Sequence, residues 1–210
     1  MRVLELFKGG GSISKYFKDK ENIEVISLDI LEKYKPTICC DIMEFDYKQF
    51  EPEYFDIIWG SPECKIFSVL QYSWIGRKWK DKNELNNERE KHSKFINKTI
   101  EIIEYLKPKY YFIENPCYSS IWDYIDDKKY LNSYVIVDYC YFGYDYKKPT
   151  KILTNKHLEH KRCKCEIHKS RIGITNEKLV NGTHKKQFKD TSDLIQRYSI
   201  PQQLLEYLFK

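Results

Sequence analysis

The stretch Phe55-Asp56-Ile57-Ile58-Trp59-Gly60-Ser61-Pro62-Glu63-Cys64-Lys65-Ile66-Phe67-Ser68 is an apolar run that stops at a glycine and a proline and then presents a thiol. A short branched and aromatic run bounded by Gly and Pro reads as a buried strand. In an open α/β sheet the residues just past such a strand lie at its carboxyl edge, where ligands bind. Cys64 thus falls where a nucleophile would sit. A lone cysteine beside aromatic residues is by itself more often a packed core residue, so the flanking chain decides between the two readings.

Toward the amino terminus, Val3-Leu4-Glu5-Leu6 reads as a second buried strand running into Lys8-Gly9-Gly10-Gly11-Ser12 and a helix to about Phe17. Strand, glycine turn and helix open a nucleotide-type site, because glycine lets the backbone approach a ligand and adopt positive φ. The spacing is neither the dinucleotide G-x-G-x-x-G nor a P-loop, and a plain flexible turn is the alternative. The runs Val25-Ile26-Ser27-Leu28 and Thr37-Ile38-Cys39-Cys40 stop at Asp29 and Asp41. Each aspartate alone reads as a turn or cap residue. Two strand-terminal acids after a glycine turn point to an adenosine-type pocket, with the first acid on ribose hydroxyls.

Toward the carboxyl terminus, the polar stretch from Gln71 to about Asn83 reads as a mobile loop beside the site. From Leu85 to Leu106, Phe95, Thr99, Ile102, Ile103 and Leu106 recur at helical spacing, an amphipathic helix on which Arg89 and His92 read as solvated. Lys109-Tyr110-Tyr111-Phe112-Ile113 is a further strand ending in Glu114-Asn115-Pro116-Cys117, so Glu114 is expected to face the same crevice as Cys64, with Cys117 structural. Tyr134 to Cys140 is the next strand, Lys151 to Thr154 an antiparallel return, and Leu194 to Leu208 holds a helix begun at Pro201.

A chain of 210 residues supports one core plus an insert. It has no apolar run of membrane-spanning length and meets its first strand at once, so a soluble, intracellular protein (cytoplasmic or nuclear), with no signal peptide and no membrane partner, is expected. Seven cysteines without a secretory context point to thiol chemistry or metal ligation rather than disulfides. The net charge of +5 is unevenly spread: Lys147 to Lys189 holds 13 Lys and Arg against three acids, a local +10. That segment suits an anionic partner. It also contains Cys163-x-Cys165-x-x-His168, with His157, His160 and His184 nearby. These residue types suit Zn²⁺; the other reading is a solvated basic loop whose lysines neutralise phosphates.

The ordered set Phe7-x-Gly9-x-Gly11, Gly60 to Ser68, Glu114-Asn115-Pro116, Gly143 to Thr150 and Ser199-Ile200-Pro201-x-x-Leu204 resembles the DNA cytosine-5 methyltransferase family. The resemblance implies an open, mostly parallel α/β sheet with helices on both faces. This is the Rossmann-like fold of class I S-adenosylmethionine-dependent methyltransferases, here with a small basic insert. It implies a catalytic domain over residues 1–155, completed by 190–210, and a short target-recognition segment over 156–189. Cys64 is then the thiolate that adds to cytosine C6, and Glu114 contacts N3 and the exocyclic amine.

By the same resemblance S-adenosylmethionine meets Phe7, Gly9 and Gly11 at its methionine part, Asp29 at its ribose and Asp41 at its adenine amine. Ile30, Ile42, Ser61 and Pro62 border that pocket and Ser199 closes it. Lys147 and Lys148 stand for nucleic-acid contacts, the partner being double-stranded DNA with the base flipped out, met by a monomer. RNA is the alternative, since the tRNA-modifying branch shares these motifs and a compact recognition region.

Three motifs depart from the family pattern. Glu63-Cys64-Lys65 replaces Pro-Cys-Gln, an acid and a base whose effects on the thiol are expected nearly to cancel. Pro116 replaces a valine, and Tyr146-Lys147-Lys148-Pro149-Thr150 replaces the arginine-bearing Gln-x-Arg-x-Arg. These departures leave a catalytically silent S-adenosylmethionine- or nucleic-acid-binding module as the rival reading.

Overall fold

The structure, a computed structural model, describes residues 1–144, 146–163 and 198–210. Strands β1 (Arg2–Leu6), β2 (Glu24–Asp29), β3 (Ile38–Cys39), β4 (Ile57–Gly60), β5 (Tyr110–Pro116), β6 (Tyr134–Asp138) and β7 (Pro149–Thr154) form one sheet in the order β3-β2-β1-β4-β5-β7-β6. The first five run parallel, and β7 lies antiparallel to both β5 and β6. The return strand foreseen at Lys151–Thr154 therefore exists, but it inserts between β5 and β6. Strand order reverses at β1, which has β2 on one side and β4 on the other. A crevice opens at such a switch point beyond the carboxyl ends of the strands.

Helices cover both faces. Along β1 and β4, Val3, Ile57 and Trp59 join Ile13, Phe17, Leu204 and Leu208 in one core, so helices α1 (Ser12–Phe17) and α3 (Gln202–Phe209) lie there. Leu4, Leu6 and Ile58 face the other way, onto Leu85, Ile96, Ile100 and Ile103 of helix α2 (Lys82–Leu106). This alternation in short apolar runs is the signature of strands buried on both sides. Helix α2 begins at Lys82, three residues before the first periodic apolar position, because the Asp81 side chain accepts the Glu84 N–H at 2.9 Å. It crosses β4 closely: a Cβ on Gly60 would stand 2.8 Å from Thr99 Cγ2.

Two expectations about this region are corrected. Arg89 is not solvated but only 1% exposed. It sits one turn after Leu85 on the buried face, and its guanidinium donates to the carbonyls of Ile66 (3.1 Å) and Ser68 (3.2 Å) and to the Tyr72 hydroxyl (2.9 Å). The stretch after Cys64 is not featureless either. Val69–Trp74 forms a 3₁₀ turn, and buried Gln71 donates to the Lys65 carbonyl and accepts from Trp79 Nε1, both at 3.0 Å.

Of the carboxyl-terminal segments, the last helix follows Pro201 as expected, while residues 194–197 lie outside the described residues. Cys165, His168 and His184 also lie outside them, as does most of the 156–189 segment. Its described beginning runs along β6, with Lys161 N–H donating to Ile136 O and Asp138 N–H to Lys161 O. His160 Nδ1 accepts the Ile136 N–H at 3.0 Å, and the Cys163 N–H donates to Asp138 Oδ2 at 2.8 Å. Among the described residues no cluster of three or more His, Cys, Asp or Glu could hold a metal ion.

Candidate active site

Strand β4 ends at Gly60 beside Ile113 of β5, so Cys64 and Glu114 leave neighbouring strands at the same edge. The loops beyond are tied together. Asn115 Nδ2 donates to the Pro62 carbonyl at 2.8 Å, and the Ser120 N–H and hydroxyl both donate to Phe67 O. Phe67 N–H donates to Cys64 O at 3.1 Å, closing the turn that carries the thiol.

Burial pushes the Cys64 thiol pKa up, and the nearby Glu114 carboxylate pushes it further; Lys148 is the cation that pulls it down, while Glu63 adds a smaller upward push. The expected cancellation between Glu63 and Lys65 is thereby corrected. Lys65 is exposed, and Glu63 Oε2 lies 3.6 Å from Nδ1 of His92, on the side of α2.

Glu114 is 7% exposed. Its Oε1 accepts a hydrogen bond from the Tyr139 hydroxyl at 3.1 Å and lies 3.6 Å from Lys148 Nζ. Lys147 Nζ lies 3.8 Å from Oδ2 of Asp138, a fully buried carboxylate that also accepts from Arg162 Nε at 3.0 Å. Both lysines expected at nucleic acid are thus drawn toward buried carboxylates, which need counter-charge.

At the next strand ends the backbone turns through left-handed conformations at Phe7 (φ 58°), Gly9 (φ 48°) and Gly11 (φ 69°). For a bulky residue such as Phe7 this is a strained conformation, of a kind that clusters at ligand sites. Gly9 N–H donates to Asp29 Oδ2 at 2.8 Å and Leu31 N–H to Asp29 Oδ1 at 2.9 Å, fixing the acid beside the glycine turn. Asp41 Oδ1 accepts the Met43 N–H at 2.9 Å. Ser61 Oγ accepts from Trp59 Nε1 at 2.7 Å. Ser199 Oγ shares a 2.5 Å hydrogen bond with the Tyr144 hydroxyl, and Ile200 N–H donates to Ser12 Oγ at 3.0 Å. The carboxyl-terminal segment is thereby fastened to the start of α1.

No family model matches the chain. Over 158 residues it is 34% identical to the "Probable DNA (cytosine-5)-methyltransferase" of Frog virus 3 (isolate Goorha), covering 74% of this chain and 71% of that protein. The chain belongs to the DNA (cytosine-5) methyltransferase family.

Among solved structures this methyltransferase is similar to the Entamoeba histolytica methyltransferase EhMeth, with TM-score 0.52 and 19% identity over 77% of this chain and 56% of that one. The S. pombe Dnmt2 methyltransferase gives TM-score 0.48 and 18% identity over 76% and 53%. The methyltransferase spans little more than half the length of either solved chain. Its fold is the Rossmann-like class I methyltransferase fold.

The residues of the methyltransferase fit S-adenosylmethionine. Each Asp29 oxygen accepts one backbone N–H and keeps acceptor capacity for a ribose hydroxyl. Ile30, 61% exposed at the same strand end, offers an apolar surface to a purine. A Cβ at Gly10 would meet nothing within 4 Å, so the turn is open to a ligand. One expected pocket residue does not fit: Ile42 is 3% exposed and packs in the α2-side core with Phe45 and Tyr47, its side chain committed to the sheet.

Sequence reasoning missed Glu5, Arg89 and Tyr139. Buried Glu5 accepts the N–H groups of Ile13 and Ser14 at 3.1 and 3.2 Å and the Ser14 hydroxyl, anchoring the first turn of α1. Its signal was a carboxylate inside an apolar strand.

Proposed function

We propose that this methyltransferase transfers a methyl group from S-adenosylmethionine to C5 of a cytosine flipped out of double-stranded DNA, through a bond between Cys64 Sγ and C6. The observation that carries this reading is the 2.8 Å bond from Asn115 to the Pro62 carbonyl, which holds the thiol loop against the end of β5 beside Glu114.

Cytosine C5 is a weak nucleophile. Addition of the Cys64 thiolate to C6 moves ring electrons to C5, which can then take a methyl group. Glu114 meets N3 and the exocyclic amine, and a proton at N3 offsets the charge that builds on the ring. Loss of the C5 proton and departure of the thiolate restore the aromatic base. Bound S-adenosylmethionine supplies the electrophilic methyl. Phe7, Gly9 and Gly11 hold its methionine part, Asp29 and Ile30 its nucleoside, Asp41 its adenine amine, Ser61 and Pro62 the side nearest the thiol, and Ser199 the closing wall.

The thiol needs help before it can add. Burial and Glu114 favour the protonated form, so Lys148 is the group that brings thiolate within reach. Nucleic acid approaches over the segment after Cys64, where exposed Tyr72 and Trp74 are followed by exposed Arg77 and Lys78. Aromatic faces and cations together suit unpaired bases and phosphates. Lys147 and Lys148 are held at the Asp138 and Glu114 carboxylates, Lys148 beside the thiol, rather than on the outer surface.

RNA is the second reading, favoured by how few residues lie between Asn155 and the closing Ser199. Incubating the purified chain with S-adenosylmethionine and 5-fluorocytosine-substituted duplex DNA or tRNA tests both. A covalent adduct on DNA that Cys64→Ser abolishes is the expected result. An adduct on tRNA alone moves the substrate to RNA. No adduct on either returns the chain to a silent binding module.

A further inference from the structure

Tyr139 follows the last residue of β6 and is completely buried, yet it spends its hydroxyl on Glu114, two strands away across β7. The backbone holds it there: its N–H donates to Lys148 O at 3.3 Å, and its ring carries the Lys148 ammonium 4.5 Å from the centroid. A phenylalanine would fill the same space without burying a polar atom, which costs free energy unless it is paired. Its hydroxyl meets the Glu114 carboxylate, the one expected to touch the base, with the Thr150 side chain as a second neighbour.

We propose that Tyr139 is a positioning residue for the methyl-transfer reaction, its hydroxyl clamping Oε1 of Glu114 so that Oε2 is the oxygen presented to cytosine. The inference rests on the reading of Cys64 and Glu114 as the cytosine site. A carboxylic acid can carry its proton on either oxygen and offers N3 a donor only when the proton is on the oxygen facing it. With Tyr139 donating to Oε1 and Lys148 beside that same atom, Oε1 is the acceptor side. A proton taken up by Glu114 is then held on Oε2, from which it donates to N3 as the thiolate adds and to which it returns as the ring is restored, with no net gain or loss at the carboxyl. Burial and the neighbouring carboxylate hold the phenol neutral across the working pH range, so it remains a donor throughout.

The test compares wild type with Tyr139→Phe for methyl transfer to the preferred nucleic acid, with melting temperature measured alongside. The expected result is a kcat lower by about tenfold to a hundredfold, with KM for both substrates unchanged. The alkaline limb of the kcat–pH profile moves to higher pH, because the carboxylate form has lost a donor. A second variant carries 3,5-difluorotyrosine at position 139, which keeps the ring and the donor but makes the phenol more acidic. It is expected to retain most of kcat while that limb moves to lower pH.

A folded Tyr139→Phe chain with wild-type kcat and profile overturns the proposal. If Tyr139→Phe does not fold, an unmoved profile in the fluorinated chain overturns it instead. Wild type forming no adduct with either nucleic acid overturns the functional reading and this inference with it. An active wild type beside an indifferent Tyr139→Phe overturns this inference alone.

Discussion

Lys148 Nζ lies 3.6 Å from Glu114 Oε1, and the same ammonium opposes the burial and the carboxylate that keep the Cys64 thiol protonated. One cation thus serves two groups of the same need, offsetting the charge of a buried carboxylate and easing the ionisation of a thiol. Lys148→Met is expected to move the pH midpoint of Cys64 alkylation upward, and Glu114→Gln to move it downward, since each removes one charge acting on the thiol. The measurement is the rate of iodoacetamide labelling of Cys64 against pH. Equal midpoints in wild type and both variants would show that neither charge reaches the sulfur.

Arg89 braces the loop behind the thiol from below, through two carbonyls and one hydroxyl. Arg89→Met keeps the stem but leaves the Ile66 and Ser68 carbonyls unpaired. Charge-assisted hydrogen bonds of this kind contribute about 1.5–3 kcal/mol each, so unfolding in urea should begin at markedly lower concentration. Adduct formation should fall further than the loss of folded protein explains. Arg89→Lys should recover little, because an ammonium cannot span three acceptors set by a planar fork.

The crossing of α2 over β4 predicts a size-limited contact. Gly60→Ala should destabilise the fold by about 1–3 kcal/mol, the usual cost of overpacking, because its methyl would overlap Thr99 Cγ2. Adding Thr99→Ser, which deletes that methyl, should return part of the loss. Denaturant midpoints of the two single variants and the double variant measure it, and strict additivity would disprove the contact.

Trp74 is about half exposed on the segment that follows the thiol. If it stacks on a base, Trp74→Ala should weaken nucleic-acid binding by about 1–3 kcal/mol and leave S-adenosylmethionine affinity unchanged. Fluorescence anisotropy with a labelled oligonucleotide and calorimetry with the cofactor separate the two. An unchanged oligonucleotide affinity would remove Trp74 from the interface.

Much of this site was legible because parallel strands buried on both faces read as apolar runs, and functional residues collect where those runs stop. Asp29, Cys64 and Glu114 could all be found that way. Arg89 could not, since a lone arginine on an amphipathic helix looks solvated until the loop above it supplies carbonyl acceptors. Ile42 misled in the opposite direction: it follows a strand-end acid in sequence, yet the chain turns at Asp41 and sends the side chain into the core. Tyr139 was hidden because an aromatic residue at a strand end reads as packing, and its hydroxyl gains a partner only when β7 brings β5 and β6 into register. The partner of Lys148 was hidden for the same reason.

The bond from the Ile200 N–H to Ser12 Oγ joins positions 188 residues apart. During synthesis Ser12 and the strand before it leave the ribosome long before Ile200 does. A nascent chain can therefore pair its first strands before this contact can form. Fastening Ile200 to the start of α1 is thus a late step, laid over a sheet that can assemble without it.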